Sequence, residues 1–377
     1  MINVLADKYL YNIQAYLPES VNLQLFDPAQ GLPTEVEQAH AMLIRTVIPI
    51  NKQTLPNIPD QLQFIGTGSS GTDHVDQSYL KTHNIHFADA AGCNARSVAE
   101  YVATALLIWS EKRNTPLHEL SIGIVGAGNA GTQVSRILEE LGLQIVSYDP
   151  PRAQREKHFN SASRDEVLAC DILSFHTPLD KTGKYATYHW LDEEKLSNNA
   201  FHLIINAARG GVVDERALLT AMKQGKVRDI IIDTWENEPD IHLDTAGTSF
   251  LKTPHIAGYS VQAKENASKF IANDLIAHFD LERSQKLAET NPTTFDNDLS
   301  SFDSISSLLK ELHPIKKYEE QLTDIIKNHP EERGKLFNKL RAEFPLRQQF
   351  THTELPANYF EKFPLLNDLG FLKISSS

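Results

Sequence analysis

The chain has 377 residues and a formal charge of −13, with 36 basic against 49 acidic side chains. Its 41% apolar and 23% charged content suits a globular protein of roughly two or three domains that needs no disulfide or metal staples. Acidity on this scale argues against a broad nucleic-acid or anionic-membrane surface, so neither partner is expected.

In chain order, Ile2–Leu5, Ala41–Arg45 and Gln63–Gly66 read as strands separated by helix-compatible segments, which implies a parallel sheet flanked by helices. Ser97–Arg113 reads as one long helix, with Ser97 and Glu100 spaced as a capping box. Leu120–Val125 is a buried-type strand leading into Gly126-Ala127-Gly128-Asn129-Ala130-Gly131. A helix over Ala130–Leu141 and a strand over Gln144–Tyr148 follow. Further strands at Ile172–Ser174, Leu203–Ile205 and Asp229–Ile232 complete a doubly wound pattern. A helix over Gln262–Leu281 returns the chain to the first domain. Composition changes near Lys286, 290–304 reads as a loosely structured linker, and the remainder has a mostly helical pattern.

The expected organisation is a substrate-binding domain over 1–96, a Rossmann domain over 97–256, a return helix over 257–285 and a C-terminal domain over 286–377. Cys93 and Cys170 read as buried thiols in a reducing compartment, and no Cys/His cluster suggests a metal. Asp7 and Lys8 interrupt the first apolar run before a signal-peptide core forms. The run from Val102 to Trp109 falls far short of the ~20 residues that cross a bilayer. A cytoplasmic location is expected.

The glycine run has meaning because a strand precedes it and a helix follows it. Gly126 permits the turn, Gly128 lets backbone N–H groups approach a pyrophosphate, and Gly131 allows close helix–strand packing. Asn129 and Ala130 lie in the same loop. Asp149, 18 residues beyond Gly131, can accept from both ribose hydroxyls and would repel a 2′-phosphate, which favours NAD over NADP. Arg152 is a counter-indication, since an arginine there can accommodate that phosphate.

Arg209, Glu238 and His255 sit at successive strand ends, where ligands of doubly wound folds bind. Singly, each reads as a surface pair or a loop residue. In this order behind a nucleotide loop they suit hydride transfer from a 2-hydroxy acid. Arg209 would hold the carboxylate and polarise the C2 oxygen. His255 would take the hydroxyl proton. Glu238 would orient the imidazole and raise its pKa. Gly66–Thr72 reads as an anion-binding turn, with Thr67, Gly68 and Ser69 toward substrate. A plain tight turn remains the alternative.

The order GxGxxG, Asp149, ARGG, WENEP and TPH resembles the D-2-hydroxyacid dehydrogenase family. The resemblance implies catalytic roles for Arg209, Glu238 and His255 and a nicotinamide-amide contact at Asp233. It also implies cofactor-lining positions at Thr177, Ala207, Ala208 and Gly258. GTGSSGTDHVD, AAGCNARSVAEYV, YDPPR and HIAGYS are similar to one branch, which acts on a small phosphorylated 2-hydroxy acid in pyridoxal 5′-phosphate synthesis. For that branch Arg45, Thr46 and Tyr259 should bind substrate. The implied fold is a Rossmann domain, a flavodoxin-like substrate domain and a C-terminal α+β domain that forms a homodimer. A basic patch suggests that Arg341 or Arg347 reaches a partner's active site. The alternatives are another enzyme of the family, such as one acting on phosphoglycerate, and a non-catalytic NAD-sensing protein.

Overall fold

Short β-branched runs alternating with helices build two separate parallel sheets. The computed structural model describes residues 1–283 and 290–374, so the composition change near Lys286 lies outside the described residues. The chain divides into two compact units, 1–94 with 260–291 and 95–259 with 292–377.

In the first unit, β1 (Ile2–Asp7), β2 (Val21–Phe26), β3 (Ala41–Ile44), β4 (Phe64–Thr67) and β5 (His86–Asp89) form one sheet in the order β2-β1-β3-β4-β5. Every pairing is parallel. This is the flavodoxin-like order. The central strands β3 and β4 are wholly buried, which explains why they are apolar up to Thr67 at the end of β4. The edge strands β2 and β5 are not in the sequence reading: β5 is four residues with only Phe87 and Ala88 apolar, whereas β2 carries the alternation Val21, Leu23, Leu25 of a half-buried strand. The returning helix Val261–His278 buries Ala267, Ile271, Ala272 and Leu275 against this unit's core.

In the second unit, β6 (Ser121–Val125), β7 (Gln144–Tyr148), β8 (Ile172–Phe175), β9 (Phe201–Asn206), β10 (Val227–Ile232) and β11 (Leu251–Lys252) form a parallel sheet ordered β11-β10-β9-β8-β6-β7. Strand order reverses between β6 and β8, the switch point where ligands of such sheets bind. Helix Ala95–Arg113 and helix Asn129–Glu140 pack together on one face around Val102, Leu106, Val134 and Leu138.

The first of these helices starts at Ala95, two residues before the expected cap. Ser97 and Glu100 do not form a capping box. Both are fully buried inside the helix and bond residues of the C-terminal segment. The segment 290–304 is also not a loose linker. β12 (Thr293–Thr294) pairs with β13 (Thr353–Leu355), which pairs with β14 (Leu372–Lys373). Phe295 and Phe302 pack against Tyr359. Those two aromatics were the overlooked signal in a polar stretch. Among the described residues, no helix is long and apolar enough to cross a membrane.

Candidate active site

The loop after β6 is built on glycines for two separate reasons. Gly126 has φ +92°, and a Cβ there would lie 2.8 Å from the His176 carbonyl. A Cβ on Gly131 would lie 1.9 Å from the Gly126 carbonyl oxygen, so no other residue allows this helix to start so close to its strand. Gly128, by contrast, has nothing within 4 Å of its Cβ position. It is the N-cap of helix Asn129–Glu140, and both Gly128 and Asn129 are exposed, while Ala130 is half-buried against the core. An open, uncapped helix N-terminus behind a glycine loop suits a pyrophosphate.

Asp149 braces this loop. Its Oδ2 accepts from Ala127 N–H at 2.9 Å, and its Oδ1 caps the next turn at Arg152 N–H, also 2.9 Å. Arg152 is committed behind the loop, donating to the Ala127 carbonyl and Thr132 and pairing with Glu156. That use of Arg152 removes the counter-indication to NAD raised by its position. The buried Thr177 hydroxyl has no hydrogen-bond partner among the described residues. It lies against Gly126, where a bound dinucleotide could supply one. Neighbouring His176 bonds Ser174 at 2.8 Å, and burial pushes its pKa down to about 3, so the ring is neutral.

The loops after β9 and β10 and the turn at 253–257 are laced together. Asn206, at the end of β9, donates to the carbonyls of Arg209 and Thr234 and accepts from Ala208 N–H. Gly210 lies so close to the next loop that a Cβ would sit 1.7 Å from the Trp235 carbonyl oxygen. Ala207 and the half-buried Arg209 therefore lie beside the 233–238 loop. The Arg209 side chain donates to the Ala208 carbonyl at 2.8 Å.

Asp233 organises the turn that carries His255. Its carbonyl accepts from His255 N–H, and its carboxylate accepts from Ile256 N–H at 2.8 Å and Ala257 N–H at 3.0 Å. These bonds hold His255 at φ +57°, a conformation unfavourable for a residue with a Cβ. Gly258 lies within the following turn, closed by Tyr259 N–H to the Ile256 carbonyl.

Glu238 and His255 meet. The Glu238 Oε2 is 2.8 Å from His255 Nδ1, while its Oε1 accepts from Trp235 N–H. Pairing Nδ1 with the carboxylate leaves Nε2 as the nitrogen available to a reacting group. The imidazole is 26% exposed, so that nitrogen is reachable. Burial pushes the Glu238 pKa up, but the charge and hydrogen bond of His255, Trp235 N–H and the Arg341 guanidinium hold it below the ordinary value. Glu238 is therefore a fixed anion beneath the imidazole.

Behind this loop, His189 bonds Glu236 through Nε2 at 2.7 Å and lies 3.4 Å from Asp214 through Nδ1. Glu236 N–H donates to the buried Glu215 carboxylate at 2.7 Å. The three groups His189, Asp214 and Glu236 have metal-type atoms within 4.8 Å of one another. Both ring nitrogens already face carboxylates, so the cluster serves as a brace for the loop.

The C-terminal segment meets this region within its own chain. Phe337 is buried with Leu322 and Trp235 in the core of the nucleotide unit, and Phe344 packs on Tyr259 and Tyr318. Arg341, on helix Arg333–Ala342, donates to the Tyr259 hydroxyl at 3.3 Å and lies near the Glu238 carboxylate. Arg347 corrects the expectation from the basic patch. It is 4% exposed and bonds the fully buried Glu100 at 2.5 Å, so it does not extend to a partner. It ties the tail to helix Ala95–Arg113.

The remaining expected residues lie in the first unit. Ile44 and Thr67 are register partners at the ends of β3 and β4, which places Arg45 and Thr46 beside Thr67, Gly68 and Ser69. Arg45 Nε bonds the buried Asp7 at 2.8 Å and its guanidinium covers the Tyr9 ring. Thr46 is exposed. The Thr67 hydroxyl is buried and bonds His74, and the Ser69 hydroxyl donates to the Gly71 carbonyl. Gly68 donates its N–H to the Ile44 carbonyl, and a Cβ there would strike Leu10.

No role is assigned to Asn206 or Thr253 from the sequence, although Thr253 is the threonine of TPH. Each is a small polar residue at a strand end, and its role depends on partners 28 and 20 residues away. The signal was polarity directly after, or inside, a buried strand pattern.

The family described as D-isomer specific 2-hydroxyacid dehydrogenase, NAD binding domain, matches residues 95–257. The chain is 36% identical to an erythronate-4-phosphate dehydrogenase of Bacteroides thetaiotaomicron over 328 residues, covering 86% of this chain and 90% of that one. It is 35% identical to the enzyme of that name from Escherichia coli, covering 91% of each. Among solved structures, the D-lactate dehydrogenase of Aquifex aeolicus, complexed with NAD and lactic acid, superposes with a TM-score of 0.58 at 23% identity. It covers 74% of this chain and 95% of that one. This likeness shows the fold, including the parallel NAD-binding sheet.

Proposed function

The chain belongs to the erythronate-4-phosphate dehydrogenase branch of the D-isomer specific 2-hydroxyacid dehydrogenases and is an NAD-dependent oxidoreductase; we propose that it oxidises 4-phospho-D-erythronate at C2. The product would be (R)-3-hydroxy-2-oxo-4-phosphooxybutanoate, in pyridoxal 5′-phosphate synthesis. The observation that carries the reading is the Glu238–His255 pair, held by Asp233 in the loops next to Arg209.

Bound NAD supplies the hydride acceptor for the C2 hydrogen. His255 Nε2 takes the C2 hydroxyl proton, and the fixed charge of Glu238 stabilises the imidazolium that results. Arg209 holds the substrate carboxylate with its planar fork of donors. Gly126, Gly128, Asn129, Ala130 and Gly131 receive the pyrophosphate, and Asp149 accepts from the ribose hydroxyls. Thr177, Ala207, Ala208 and Gly258 line the nicotinamide, and Asp233 accepts from its carboxamide.

On the substrate side we assign Arg45, Thr46, Thr67, Gly68, Ser69 and Tyr259. The phosphate would meet Arg45 and Thr46 beside the 67–69 turn, whose Gly68 and Ser69 N–H groups are already donated to the Ile44 and Thr67 carbonyls. The chain would act in the cytoplasm, as a homodimer through its C-terminal domain. The free, buried Cys93 and Cys170 are compatible with a reducing compartment.

Purified protein should reduce NAD with 4-phospho-D-erythronate in clear preference to 3-phospho-D-glycerate. His255→Ala should lower kcat by about 10²–10⁴-fold with NAD affinity unchanged. A preference for phosphoglycerate would overturn the substrate. Undiminished turnover by the variant would overturn the proton-transfer role.

A further inference from the structure

A buried hydroxyl chain ends on Asp233. The Tyr101 hydroxyl is 2.6 Å from Thr253 Oγ1, and Thr253 Oγ1 donates to Asp233 Oδ1, also at 2.6 Å. Tyr101 and Thr253 are fully buried, and Asp233 is 1% exposed. Tyr101 comes from the middle of helix Ala95–Arg113, 152 residues before Thr253. The His313 ring, from the C-terminal segment, packs on the Tyr101 ring at 5.9 Å between centroids, the two planes steeply inclined.

Proton counting fixes the direction of this chain. Thr253 has one hydroxyl proton. If it goes to Asp233, Tyr101 must donate to Thr253. In the reverse direction a protonated Asp233 would donate to Thr253 and Thr253 to Tyr101. The buried Tyr101 proton would then have no acceptor among the described residues, at a cost of about 1–3 kcal/mol. The favoured direction makes Asp233 a pure acceptor. Its Oδ1 then takes Thr253 and Ile256 N–H, and its Oδ2 takes Ala257 N–H. An ionised carboxylate has about four acceptor positions, so one remains, on Oδ2.

We propose that Tyr101 is a positioning residue for the cofactor: through Thr253 it orients Asp233 so that the remaining Oδ2 acceptor position receives the N–H2 group of the nicotinamide carboxamide. The inference rests on the assignment of Asp233 as the carboxamide partner. It adds a residue from a helix that carries none of the other assigned cofactor contacts. Burial and the nearby Asp233 charge raise the Tyr101 pKa well above its ordinary value, so the phenol keeps the proton it donates.

The test is binding, measured by calorimetry, of NAD and of its 3-acetylpyridine analogue, which keeps a ring carbonyl but has no N–H2 group. Tyr101→Phe should weaken NAD binding about fivefold to tenfold and leave the analogue's affinity unchanged. Thr253→Val should behave the same way, and Thr253→Ser should restore wild-type discrimination. A purely structural role would move both affinities together, and that result, or no change in either, would overturn the proposal. If Tyr101→Phe does not fold, the Thr253→Val and Thr253→Ser pair decides by the same criterion. Because the readout is binding, failure to oxidise 4-phospho-D-erythronate would defeat the substrate assignment while leaving this result intact.

Discussion

The two larger parallel sheets place polar residues at equivalent strand ends but use them differently. At the ends of β9 and β10, side chains reach across between loops: Asn206 to the Thr234 carbonyl, Thr253 to Asp233, His255 to Glu238. At the ends of β3 and β4, Thr67 bonds His74 seven residues on, and Ser69 bonds Gly71. Among the assigned side chains there, Arg45 alone bonds a side chain far along the chain, Asp7, while the Gly68 N–H reaches the Ile44 carbonyl through backbone. Chemistry that moves a proton and a hydride needs groups fixed to within a fraction of an ångström, and cross-bracing supplies that rigidity. Recognition of a phosphate relies on charge and backbone N–H groups, which tolerate looser support.

The sharpest way to break the contrast is to separate the braced loops. Gly210→Ala puts a methyl carbon 1.7 Å from the Trp235 carbonyl oxygen, so backbone must move. The expected cost is about 4 kcal/mol or more, with turnover lost, as read by urea unfolding and kcat. Gly128→Ala is the control, because its Cβ meets nothing within 4 Å. It should change stability by less than about 1 kcal/mol and instead weaken NAD binding, where the backbone must approach a pyrophosphate. Equal stability losses in the two variants would mean that Gly128, too, is a packing glycine.

The same contrast explains what was legible in the sequence. The six-stranded sheet's site is written in local spacings: a glycine loop, an acid 18 residues later, and an Arg, a Glu and a His after successive strands. Each is fixed by short-range geometry, so the Glu238–His255 contact could be anticipated. Asn206, Thr253 and Tyr101 carry no such spacing, because their partners are chosen by tertiary packing. Ser97 and Glu100 mimicked a cap for the same reason. Their spacing was right, but the helix began earlier and the pair served Gln349, Arg96 and Arg347. Edge strand β5 offers only Phe87 and Ala88 over four residues, too short a pattern to read, whereas the alternation of Val21, Leu23 and Leu25 in β2 was legible.

Two buried acids sharpen the comparison further. Asp7 has Arg45, whereas no cation is paired with Glu215 among the described residues. Burial pushes the Glu215 pKa up from 4.5 to about 7, with the Glu236 and Glu238 charges adding to the shift. The native state then binds more protons than the unfolded state between those values, so stability falls as pH rises through that window. At ~1.4 kcal/mol per pKa unit, the penalty is about 3 kcal/mol once pH exceeds about 7. Glu215→Gln keeps an oxygen for the Glu236 N–H and has no charge to bury. It should match wild type at pH 4.5 and exceed its unfolding free energy at pH 8 by up to that amount. An unchanged difference between the two pH values would show that Glu215 titrates normally.

The smallest effect falls on the looser site. Arg45→Gln removes the charge assigned to the substrate phosphate and leaves the scaffold of β3 and β4 intact. We expect KM for 4-phospho-D-erythronate to rise about tenfold, ~1.4 kcal/mol, with kcat within about twofold, since the reacting groups are untouched. The buried Asp7 also loses its counter-ion, so some stability is lost as well. Asp7→Asn separates the two roles, because it removes the buried charge while Arg45 keeps its own. If Arg45 meets the phosphate, Asp7→Asn should leave KM near wild type, and adding it to Arg45→Gln should recover stability without recovering KM. If KM stays at the wild-type value in Arg45→Gln and only stability falls, Arg45 is simply the partner of Asp7. The phosphate contact would then have to be sought at the exposed Thr46.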